Sequence, residues 1–167
     1  HEVLRDGFVD VMEKVGKRTG AYSSSVANLH PFILLNFDHT LDSVFTVAHE
    51  AGHSIHSMYA TQTQPTMLQD YTIFVAEIAS TFNEHTLLDY FLSLPDATKE
   101  EKIMVIQKAI DEIMSTFYRQ TLFAEYEYLA NHEVAKGNPI NHQVLSQIMI
   151  DLYKKYYGLD ITTVSYT

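Results

Sequence analysis

Apolar residues recur along the 167-residue chain with helical spacing over most of its length, and two short segments break that rhythm. Val3, Leu4, Phe8, Val11, Met12 and Val15 predict a first helix over Glu2 to Val15, closed by the Gly16 to Gly20 region. Ala21 to Asn28 and His30 to Phe37 are short and rich in Ser, Val, Ile, Leu and aromatics, which predicts two strands or extended segments. Leu41, Val44, Phe45, Ala48, Ala51, Ile55 and Met58 then mark a helix to about Ala60, capped by Thr40 or Asp42. A polar connection containing Pro65 covers Thr61 to Asp70, and helical spacing returns from Phe74 to Leu92, ahead of Pro95. Thr98-Lys99-Glu100-Glu101 is a capping-box pattern that opens the longest predicted helix, running towards Gly137. Asn138-Pro139 breaks it, and a last helix runs from about Asn141 to Gly158 with Leu159 to Thr167 as a tail. The pattern predicts a mainly α fold with a small β-hairpin or sheet near the N-terminus. It shows no internal repeat and no domain boundary, so residues 1–167 are expected to form a single domain.

Composition narrows the function. Hydrophobic residues make up 46% of the chain, enough for a core. A formal charge of -10 opposes a nucleic-acid or anionic-membrane partner, a repulsion that the nine histidines soften only at low pH. The absence of cysteine removes disulfides, thiolate metal sites and cysteine nucleophiles, and fits a reducing cytoplasm. Apolar runs such as Pro31 to Phe37 are too short to span a bilayer, and no signal peptide is recognisable. The start at His1 rather than Met suggests a piece of a longer protein.

The chemistry concentrates in His49-Glu50-Ala51-Gly52-His53, an H-E-x-x-H pentapeptide within the second predicted helix. At about 3.6 residues per turn, the two imidazoles stack one turn apart and can share one Zn2+ ion. Glu50, offset round the helix, is better placed to hold the attacking water as a general base than to be a third ligand. Burying two histidines and an acid without a common partner would leave each needing its own hydrogen bonds. A catalytic zinc site needs a third protein ligand and an open position. The metzincin pattern requires Gly and His at positions 56 and 59, where this chain has His56 and Tyr59. A carboxylate from the next helix remains, with Glu77 the best candidate and Asp70 the weaker one. Glu84, two turns beyond Glu77, could orient a ligand histidine, and His56 shares the face of His49 and His53. A di-metal carboxylate protein is disfavoured, because paired Glu-x-x-His motifs on facing helices are absent.

Longer segments carry a family resemblance. Lys17 to Ser23, Phe45 to Ser57 with Gly52 and His56 inside it, Tyr71 to Glu84, and Phe117 to Glu125 together resemble the thimet oligopeptidase-like family of zinc metallopeptidases, to which oligoendopeptidase F belongs. The resemblance covers nearly the whole chain. It implies a zincin-like helical catalytic core, Zn2+ as cofactor with Glu77 as the third ligand, and short peptides as substrates cleaved at internal bonds. It further implies an edge strand within Gly20 to Phe37, with Gly20, Ala21 and Tyr22 lying along the substrate. Family members carry a large N-terminal lobe and a later segment with a histidine and tyrosines. On that comparison this chain is a catalytic-core fragment whose alternative role is a catalytically incomplete zinc-binding or peptide-binding module. Tyr156, Tyr157 and Tyr166 are weak replacements for the missing tyrosines.

Overall fold

The computed structural model describes residues 2–5, 7–26 and 29–159; Tyr166 and most of the expected tail lie outside them. The first expectation is overturned. In place of a helix over Glu2 to Val15, a single 3-10 turn at Glu2–Leu4 leads to strand β1, Val9–Met12. Gly7 sits at φ +84, a conformation that interrupts a right-handed helix and that glycine adopts without steric cost. Val9, Asp10 and Met12 then pair with a distant strand, a tertiary preference that apolar spacing does not report.

That partner is β3, Phe32–Phe37, and the third strand is β2, Tyr22–Ser24. The sheet order is β1-β3-β2, with β1 parallel and β2 antiparallel to β3, so β2 forms one edge. Alternation along β3 buries Ile33 and Leu35 on one face. These two join Val3 and Ala51 in a core to which Val47, Ile55 and Met58 also pack, and this fixes the motif helix against the sheet.

The motif helix is α1, Leu41–Thr63. Thr40 caps it by accepting the Ser43 backbone N–H at 3.2 Å, and Asp38 in turn accepts the Thr40 hydroxyl. Helix α2 spans Ile73–Ser93 and packs along α1. The two helices come very close at Gly52: a Cβ there would meet the Ser80 Cα at 2.7 Å and the Ala79 carbonyl oxygen at 2.8 Å. A missing side chain on α1 therefore sets the distance between the helices.

Packing divides the chain into two compact units, His1–Val105 and Ile106–Thr167. The sheet, α1 and α2 belong to the first. The capping box opens helix α3, Lys99–Glu112, as expected, with the Glu101 carboxylate accepting the Thr98 N–H at 2.8 Å and Thr98 Oγ1 accepting the Glu101 N–H at 3.2 Å. The long helix expected from Thr98 is instead interrupted. A π-helical stretch at Ile113–Tyr118 separates α3 from α4, Arg119–Ala135. In the second unit, α4 packs on α5, His142–Tyr157, around Leu122, Met149 and Leu152. Asn141 caps α5 through Oδ1, and Gly158 ends it in the left-handed conformation. No helix among the described residues is long and apolar enough to cross a membrane.

Candidate functional site

One turn of α1 carries His49, Glu50 and His53, and α2 faces it with Glu77. The Nε2 atoms of His49 and His53 lie 3.1 Å apart. Glu77 places Oε2 3.5 Å from the first and Oε1 3.8 Å from the second. One donor atom from each of the three residues falls within 4.8 Å of the others, the geometry of a group that could hold a metal ion. Asp70, the competing carboxylate, is not part of this group.

Neighbours hold the three donors in place. His49 Nδ1 lies 3.0 Å from Glu84 Oε1, and because a carboxylate only accepts, the proton sits on Nδ1 and Nε2 keeps its lone pair. Ser80 Oγ donates to Glu77 Oε2 at 2.9 Å, which fixes the carboxylate that α2 presents. Asn83 donates to the Ala48 carbonyl and ties α2 to α1 one residue before His49. Ser80 and Asn83 were missed at the level of sequence. Each lies within a turn or two of Glu77, but nothing local shows that they face α1 rather than solvent.

Burial shapes the titration of the site. It would lower the pKa of His49, but the hydrogen bond and charge of Glu84, with Glu50 and Glu77, outweigh it and hold the imidazole above its ordinary value. His53 goes the other way: burial and the neighbouring His49 keep it below the ordinary value, against the pull of Glu77 and the Ala76 backbone. Glu50 is 7% exposed. Burial pushes its carboxyl above the usual range, while the His49 charge and the Ser23 backbone favour the ionised form. A carboxyl so placed is a better base than an exposed glutamate.

Donor chemistry fits a borderline cation. Two imidazole nitrogens and one carboxylate, with no sulfur, match the ligand types of catalytic zinc sites and leave one coordination position for the reaction. A shared cation would engage both Nε2 atoms and the Glu77 carboxylate at once.

Among the remaining expected residues, His56 is not one of the converging donors. Its ring stacks on Tyr71 with centroids 3.9 Å apart, and the Tyr71 hydroxyl shares a 2.6 Å hydrogen bond with Ser57 on the same helix. Tyr22 opens the edge strand β2, with Ala21 and Gly20 just before it. Asn36 Nδ2 donates to the Gly20 and Arg18 carbonyls at 2.8 and 2.9 Å and holds the approach to the strand. Ser23 and Ser54 hydroxyls meet at 2.8 Å, which brings β2 against α1 one residue after His53.

Comparison with known proteins agrees with this geometry. The chain is 40% identical to Oligopeptidase PepF of Bacillus subtilis over 157 residues, covering 94% of this chain and 23% of that protein. It is 41% identical to an Oligoendopeptidase F homolog of Borreliella burgdorferi, covering 93% and 26%. A crystal structure from Chlamydophila abortus superposes with a TM-score of 0.74 at 44% identity, covering 91% of this chain and 25% of the other. PZ peptidase A shares the fold at a TM-score of 0.70 and 20% identity, with 90% and 26% covered. The chain thus spans about a quarter of the length of the relatives it matches. Every residue from 1 to 167 falls within the match to the Peptidase family M3, and the chain belongs to that family.

Proposed function

We propose that the whole protein is a zinc-dependent endopeptidase that hydrolyses internal bonds of short peptides, with Glu50 as general base. The observation that carries this is the convergence of His49 Nε2, His53 Nε2 and the Glu77 carboxylate beside a buried Glu50. His49, His53 and Glu77 would hold Zn2+, which when bound acidifies water and polarises the scissile carbonyl. Glu50 accepts the proton of the attacking water and then delivers it to the leaving amine. Its raised pKa suits both halves of that transfer, since a weaker acid is a stronger base. Glu84 keeps the proton of His49 on Nδ1, and Ser80 keeps the Glu77 carboxylate turned towards the histidines.

Substrate would bind extended along β2, the free edge of the sheet, and exchange main-chain hydrogen bonds with it. The Ser23–Ser54 contact puts that edge beside the helix that carries Glu50, so a peptide bond aligned on the strand lies near the base. A cytoplasmic setting fits the cysteine-free chain. The test is metal content and turnover together. Native mass spectrometry of the whole protein is expected to count one Zn2+ per chain, and cleavage of an internally quenched peptide is expected to stop with a chelator and return with zinc. Zinc binding without chelator-sensitive cleavage would instead favour a metal-holding or peptide-binding role.

A further inference from the structure

A cavity of about 470 Å³ opens from His53 along the C-terminal half of α1, within the size range of sites that hold small ligands (roughly 300 to 1,000 Å³). Its wall begins at the metal-site histidine and at Ser23 of the edge strand, so it continues directly from where a peptide would be cut. The far wall comes from the connection between α1 and α2, where Thr66, Gln69 and Asp70 line it, and Ser25 closes the side beyond β2. Its chemistry is that of an acceptor for donors. Among the described lining residues there is no lysine or arginine, and Asp70 is the one carboxylate. Asp70 is held by its own turn, Oδ1 accepting the Tyr71 N–H at 3.0 Å. Gln69 Nε2 donates to the Thr61 and Gln64 carbonyls at 3.2 and 3.1 Å, which leaves Oε1, an acceptor, without a protein partner. The chain as a whole carries 21 acidic against 11 basic residues, a net charge that attracts cations from a distance.

We propose that this cavity is a specificity subsite that takes a lysine or arginine side chain of the peptide next to the cleaved bond, with Asp70 as the counter-ion. The proposal rests on the peptidase reading and gives Asp70, rejected as a metal ligand, a separate task. A flexible cationic side chain extends past His53, pairs its charge with the Asp70 carboxylate, and finds hydroxyl and amide acceptors along the wall.

The experiment uses the whole zinc-loaded protein and a set of quenched peptides in which one lysine replaces norleucine at each position on either side of the cleaved bond. At one position, lysine is expected to raise kcat/KM over norleucine. In Asp70→Asn that lysine-to-norleucine ratio is expected to fall by about fivefold, and in Asp70→Lys a glutamate peptide is expected to overtake the lysine one. The ratio is also expected to shrink as salt rises, as a partly exposed ion pair requires. Ratios unmoved in both variants overturn the proposal, whatever happens to absolute rates. The same ratio is read at equilibrium by fluorescence anisotropy of labelled peptides on Glu50→Gln and on Glu50→Gln/Asp70→Asn. If the unmodified protein cleaves nothing, the peptidase reading fails on its own, and this binding ratio still decides the subsite.

Discussion

Gly52 and Ser80 meet where α1 crosses α2, so closely that a methyl group on Gly52 would sit 2.7 Å from the Ser80 Cα. Ser80 is also the residue that donates to the Glu77 carboxylate, and Gly52 directly precedes His53. One backbone contact therefore sets both helix spacing and the distance between the histidine pair and its carboxylate.

Alanine favours a helix over glycine by about 1 kcal/mol, so Gly52→Ala would stabilise an isolated α1. In the folded protein the clash is with backbone, which cannot turn aside as a side chain can. Overpacking of this kind costs about 1 to 3 kcal/mol, and the helices must part to relieve it. Gly52→Ala is expected to lower the melting temperature and to bind zinc more weakly, as read by calorimetry and by metal content after dialysis. A variant that melts at or above the parent temperature and keeps its metal would show that the close approach is not needed.

Glu50 is expected to be needed for chemistry and not for metal binding. Glu50→Gln keeps the shape of the side chain and loses the base, so cleavage should fall by about 100- to 10,000-fold while zinc stays at one per chain. Parallel metal analysis and peptide hydrolysis check this, and unchanged cleavage would falsify the role.

The two carboxylates weighed as third ligand are expected to separate cleanly. Glu77 lies within 3.8 Å of both histidine Nε2 atoms, whereas Asp70 stands outside that group. Glu77→Ala should come out of dialysis without zinc, and Asp70→Ala should retain it. Glu84→Gln, which weakens the hold on His49 Nδ1, should reduce zinc affinity by about 10- to 100-fold, measured by competition with a chromophoric chelator. Zinc lost from Asp70→Ala alone would reverse the assignment.

In the second unit, Glu125 of α4 joins Lys155 at 2.6 Å and the Tyr156 hydroxyl at 2.6 Å on α5. The Lys155 hydrogen bond, then that of Tyr156, hold the Glu125 carboxyl below its ordinary value of 4.5. A depressed carboxyl stabilises the fold above the unfolded value and stops doing so as pH falls through the folded one. Lys155, raised above 10.5 chiefly by the same bond, loses its share only as pH rises through that raised value. Melting temperatures of the parent and Glu125→Gln should therefore differ between these limits and converge as the solution is acidified below about pH 4.5. A difference that persists into strong acid would mean the substitution acts through packing.

Local rules made the helix of the H-E-x-x-H motif legible. His49 and His53 are one turn apart on any helix, and Thr40, the Thr98–Glu101 box, Asn141 and Gly158 act on backbone groups within a few residues of themselves. The family resemblance also rested on these contiguous segments. The edge strand was legible only as an extended segment, and which edge it formed depended on β1, which apolar spacing predicted as helix.

By itself the sequence determined the pair of histidines, the glutamate between them and the helix ends, because each depends on interactions a turn or less apart, where chain geometry leaves little choice. Only the tertiary structure decided that Glu77 and not Asp70 faces the histidines, that Val9–Met12 pairs with β3, and that Asp70 lines a cavity leading away from His53. Those outcomes turn on how distant segments pack. In particular they turn on the contact of Gly52 with Ser80, where the absence of one Cβ selects which residues of α2 reach the site.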